Sequence, residues 1–122
     1  MMEKKKLLEE RISKIFIAIG IPPHIRGYHY LREGIKQTIE NPSIMNSVTK
    51  ELYPRVAEVY HTTISRVERA MRHAIEVGWN RQRVDVINNL FGVKVYLGND
   101  KPTNSEFIAL IADKLILEDL SD

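Results

Sequence analysis

Between Thr62 and Trp79, apolar and polar residues separate almost completely when the chain is wound at about 100° per residue. Ile64, Val67, Ala70, Met71, Ala74, Ile75 and Gly78 fall on one side. Ser65, Arg66, Glu68, Arg69, Arg72, His73 and Glu76 fall on the other. A helix with one buried face has this pattern. No proline interrupts the segment. Thr62 or Thr63 can cap its start, because a hydroxyl there accepts from a backbone N–H that has no helical partner.

The flanking segments also read as helices. Leu8, Ile12, Ile15, Phe16 and Ile19 recur at three- and four-residue spacing and predict a first helix over Glu3 to Ile19. Gly20 is its expected stop, and Pro22-Pro23 forbids continuation. A second helix is predicted from Tyr28 to Glu40 on Leu31, Ile35 and Ile39, with Gly34 weakening it and Asn41-Pro42 ending it. A third lies between Pro42 and Tyr60, with Ser47 or Thr49 as candidate caps and Pro54 near its start. The apolar residues Leu52, Val56 and Val59 and the small Ala57 supply its contacts.

After the polar link Asn80-Arg81-Gln82-Arg83, a short helix fits Val84 to Phe91 with Gly92 as its stop. Val93 to Leu97 alternates like a strand but has no partner strand, so an extended loop is expected, followed by a turn at Gly98 to Pro102. Thr103-Asn104-Ser105-Glu106 is a capping box that opens a last helix running to about Glu118. Leu117 and Leu120 extend its apolar surface beyond one stripe. The expected fold is all-α, a six-helix bundle.

The third and fourth helices, joined by a short turn around His61-Thr62, make a helix-turn-helix over about residues 49–79. His61 occupies a position where a turn glycine is common. In that motif, the N-terminal half of the second helix meets base edges. The charge on the polar face of the long helix is weighted to that half.

Composition narrows the possibilities. The chain has 122 residues, enough for one domain with a modest core, and at 43% hydrophobic and 28% charged it is expected to fold. Net charge is only +2, from 18 Lys+Arg against 16 Asp+Glu, so any basic surface must be local. The absence of cysteine excludes disulfides and thiolate metal sites. His24 and His29 have no third ligand at a matching spacing, so neither a metal nor another cofactor is expected. No phosphate-binding glycine loop, catalytic carboxylate pair or nucleophile–base signature appears, and an enzyme is not expected. No apolar run approaches the roughly 20 residues of a membrane span. The N-terminal Lys4-Lys5-Lys6 is followed by Leu7-Leu8 and then charges, unlike a signal peptide, so a cytoplasmic location is expected.

At Ser65 to Val77 and at Lys101 to Ala109, the chain resembles the DNA-binding effector-domain family of stage 0 sporulation protein A, a response regulator of endospore-forming bacteria. Ile21 to Tyr28, Leu31-Arg32-Glu33 and Leu52-Tyr53-Pro54 support the likeness, which extends from about Ile12 to Leu117. The resemblance implies a six-helix domain on double-stranded promoter DNA, activating or repressing transcription through RNA polymerase sigma subunits. It also implies possible homodimers on tandem sites. Residues 1–122 would be a single effector domain with the family's N-terminal receiver domain absent. Carried over position by position, the DNA face comprises Thr62, Thr63, Ser65, Arg66, Glu68, Arg69, Arg72 and His73. The competing reading is a helical protein–protein adaptor whose Arg-rich face binds an acidic partner. Glu68 argues against it, because an acid within the basic face favours base readout over general attraction to polyanions. RNA is disfavoured, since the polar face lacks aromatic residues for stacking single strands.

Overall fold

A computed structural model describes residues 2–81, 84–92 and 101–121. Six α-helices follow in order: α1 (Met2–Ile19), α2 (Arg26–Glu40), α3 (Tyr53–Val59), α4 (Ile64–Asn80), α5 (Val84–Phe91) and α6 (Asn104–Ser121). The described chain contains no strand. None of its helices is long and apolar enough to cross a membrane. Gln82-Arg83, the expected loop at Val93–Leu97 and most of the expected turn after it lie outside the described residues.

α2 sits at the centre, packed on α4 and α6. Leu31 and Ile35 of α2 are fully buried with Ile12 and Phe16 of α1, Val67 and Met71 of α4, and Ile108 of α6. Aromatic rings tie the same helices together. Phe16 meets Tyr28 edge-on at 5.3 Å and lies 5.8 Å from Phe107, which in turn meets Trp79 at 5.9 Å. Such pairs add about 0.5–1.5 kcal/mol each beyond the area they bury. At the periphery, Arg11 of α1 pairs with Glu118 and, at 3.1 Å, with Asp119 of α6. Lys36 of α2 reaches Glu9 of α1 at 2.6 Å. The Lys36 ammonium bonded to it holds the Glu9 carboxyl below the usual carboxylate range.

α1 stops at Gly20, whose φ of +106° is open to glycine and closed to most side chains. α2 begins two residues earlier than the pattern predicts. Arg26 and Gly27 are helical, and at Gly27 the helix closes directly on α4: a Cβ there would lie 2.0 Å from the Ala70 carbonyl oxygen and 2.6 Å from the Ala74 Cβ. The crossing thus selects the glycine, which propensity alone counts against a helix.

The path into α3 also departs from expectation. A 3₁₀ turn over Pro42–Ser47 and a wide π turn over Val48–Leu52 lead straight into it. Neither Ser47 nor Thr49 caps a helix: Ser47 makes no capping bond, and Thr49 lies inside the wide turn. The preceding turn takes that role, as the Tyr53 N–H donates to the Val48 carbonyl. Pro54 falls in the first turn of α3, where its missing N–H costs nothing.

α6 starts as its sequence predicts. The Thr103 N–H donates to Glu106 Oε1 at 3.0 Å, and the Glu106 N–H donates back to Thr103 Oγ1 at 3.2 Å. The bond from the Thr103 backbone holds the Glu106 carboxyl below its ordinary range. The helix runs past Glu118 to Ser121, with Leu117 exposed.

Candidate nucleic-acid interface

The turn between α3 and α4 is closed by backbone bonds. The His61 N–H donates to the Glu58 carbonyl at 3.3 Å and the Thr62 N–H to the Ala57 carbonyl at 2.9 Å. His61 has φ of +53°, the left-handed conformation that glycine would adopt without cost. Its position after the end of α3 therefore forces a sharp reversal into Thr63. Of the two candidate caps, Thr63 is the one used: it is extended (φ −102°, ψ 157°), and its Oγ1 accepts from the Arg66 N–H at 3.2 Å. Thr63→Ala is expected to lower stability by about 1 kcal/mol and to fray the turn that carries Ser65 and Arg66. A urea-unfolding midpoint unchanged from the parent would show that the cap contributes nothing.

Beyond the first turn, the buried side of α4 is Val67, Met71, Ala74, Ile75, Gly78 and Trp79. Ile64, expected on that side, is instead 42% exposed. Ser65 and Arg66 are exposed with it, and burial begins at Val67, so the first turn of α4 lies at the surface of the bundle. Of the eight predicted site residues, Thr63, Ser65, Arg66, Arg69, Arg72 and His73 are exposed, while Thr62 and Glu68 are half-buried. All lie on the turn or on the outward face of α4.

Two internal contacts organise that face. Arg72 Nη1 lies 3.1 Å from Glu68 Oε1, one turn back along the helix. With the two side chains 56% and 45% exposed, the pair adds little stability but orients both groups. From behind, the buried Asn104 amide donates to the Glu68 carbonyl at 3.0 Å and to the Tyr53 hydroxyl at 3.2 Å. The start of α6 is thus fastened to α3 and to the second turn of α4.

The fold also gathers cations that sequence spacing did not associate with α4. A cleft of about 420 Å³ is lined by Arg26 and Tyr30 of α2 with Arg66, Arg69 and His73 of α4. An adjoining cleft of about 370 Å³ brings Arg26, His29 and Tyr30 together with Tyr60, His61 and Arg66. Neither is lined by a carboxylate. On the other flank of α4, a cleft of about 330 Å³ mixes Arg72 and Lys101 with Glu68 and Glu76. Arg26 and His29 lie far from α4 in sequence, and the α2–α4 crossing at Gly27 brings them beside it and beside His61 of the preceding turn. The one sequence-level sign was a glycine beside an arginine at a helix start. Among the described residues, no group of three His, Asp or Glu side chains is arranged to hold a metal.

A helical bundle that presents the capped first turns of a basic helix at its surface has the form of a DNA-binding effector domain. Comparison with known families agrees. The model of the family described as sporulation initiation factor Spo0A, C-terminal, matches residues 12–115, and the chain belongs to that family. It is accordingly a sporulation-related, DNA-binding regulatory domain.

Proposed function

We propose that this domain is a sequence-specific transcription regulator that lays the N-terminal half of α4 into the major groove of a short promoter box. The observation that carries the reading is the composition of the first three turns of the outward face: Arg66, Arg69, Arg72 and His73 stand with one acid, Glu68, ahead of Glu76, on a chain whose net charge is only +2. Arg66 or Arg69 can donate two bonds to guanine O6 and N7, and Glu68 can accept from cytosine N4. Arg72, His73 and the hydroxyls of Thr62, Thr63 and Ser65 suit backbone phosphates. Residues 1–122 act in this reading as one effector unit, with the helix-turn-helix at about 49–79. RNA polymerase sigma subunits are its protein partners, and two copies pair on tandem boxes.

Fluorescence anisotropy on two labelled duplexes, one carrying the family's box and one scrambled, tests the central claim across a salt series. A preference of about 10³ or more that persists as salt rises is the expected result. Equal binding to both duplexes, lost as salt rises, would reduce the face to a basic patch and overturn base readout.

A further inference from the structure

Resting on the DNA reading above, we propose that the cleft between the start of α2 and the α3–α4 turn is a second phosphate site. It would hold a phosphodiester of the DNA strand that borders the groove entered by α4. Two guanidiniums and two imidazoles converge there from three parts of the chain: Arg26 and His29 from α2, His61 from the turn and Arg66 from α4. An ordinary solvated surface on a nearly neutral chain mixes both signs, as the opposite flank of α4 does with Glu68 and Glu76. This cleft and its neighbour are lined by no acid.

The start of α2 adds to the attraction for anions. Ile25 precedes it in extended conformation, no side chain caps it, and its first turn holds no acidic residue. The positive end of a fifteen-residue helix therefore opens beside Arg26. His29 Nε2 donates to the Pro23 carbonyl at 2.9 Å, which fixes the ring as one wall of the cleft and leaves the binding of the anion to its neighbours. The Tyr30 and Tyr60 rings, 5.1 Å apart, line the same cleft. Burial raises the Tyr60 hydroxyl above the usual phenol range, with Glu33 behind the cleft adding to the rise and Arg32 opposing it, so it stays protonated and able to donate. Position completes the argument. Arg66 lines both clefts and also belongs to the exposed first turn of α4, so a strand at the edge of the occupied groove passes over Arg26 and His61.

Arg26→Gln keeps a good helix former at an exposed site and removes the charge. On box and scrambled duplexes alike, the slope of log K against log salt should become shallower by about one. Affinity near 0.1 M salt should fall by about fivefold to tenfold, with the preference between duplexes unchanged. His61→Asn, which tolerates the left-handed backbone, should weaken both duplexes in the same direction while the thermal midpoint stays at the parent's value. Unchanged slope and affinity in both variants would overturn the proposal. So would a loss confined to the box duplex, which would make the cleft a base reader. If the parent fails to prefer the box at all, base readout falls, while the slope comparison still reports on the cleft.

Discussion

Gly27→Ala is expected to be the most damaging single substitution in the chain. The added Cβ would meet the Ala70 carbonyl oxygen at 2.0 Å and the Ala74 Cβ at 2.6 Å. The first of these is helix backbone, which cannot rotate away. Relief requires α2 and α4 to separate, opening the contacts among Tyr28, Leu31, Val67 and Met71 that bury their faces. Overpacking costs about 1–3 kcal/mol where side chains can adjust, and a clash with backbone belongs at or above the upper end. The thermal midpoint should fall on the order of 10 °C. Gly34→Ala is the control, since the nearest atoms to a Cβ there are the flexible ends of Ile108, Met71 and Leu52 at 3.3, 3.4 and 3.9 Å. If both variants melt with the parent, the helix crossing is looser than described. DNA affinity should fall with stability in Gly27→Ala, because the same contact sets Arg26 beside α4.

Arg69→Ala should have the largest effect on recognition while leaving the fold intact. Arg69 is exposed in the second turn of α4 and, among the described residues, makes no ion pair, in contrast to Arg72 with its Glu68 partner. Alanine is also the better helix former. Loss of a bidentate contact to guanine is expected to cost about 1–3 kcal/mol of specific binding and to relax preference at one base pair. Competition with boxes substituted one position at a time measures both. Equal weakening on specific and scrambled duplexes would reassign Arg69 to a phosphate.

Where apolar periodicity is long and uninterrupted, the sequence is a sufficient guide, as at α4 and α1. Local chemistry is equally readable: the Thr103–Glu106 capping box forms as its spacing requires, and the stop at Gly20 follows from backbone freedom. The misreadings share a cause. Ile64 has the right angle for the core but sits in the first turn of α4 with the exposed Ser65 and Arg66, where burial has not begun, and periodicity reports direction rather than reach. Ser47 and Thr49 are good caps only where a helix is entered from extended chain, and here a turn feeds α3 directly. Gly27 and Gly34 count against a helix on propensity, yet each stands where another helix presses close. The outward face of α4 was legible residue by residue. The cleft at Arg26, His29 and His61 was not, because its members meet only through tertiary packing.

Asn104 sets a limit on how this domain can adapt. By donating at once to Tyr53 and to the Glu68 carbonyl, it joins α3, α4 and α6 at a single point behind the outward face. A helix pinned there has little freedom to tilt or slide. If α4 enters a groove as proposed, accommodation falls to the duplex, which must bend or twist to bring its edges to a rigid reader. Base steps that no side chain touches should therefore affect affinity through their stiffness alone.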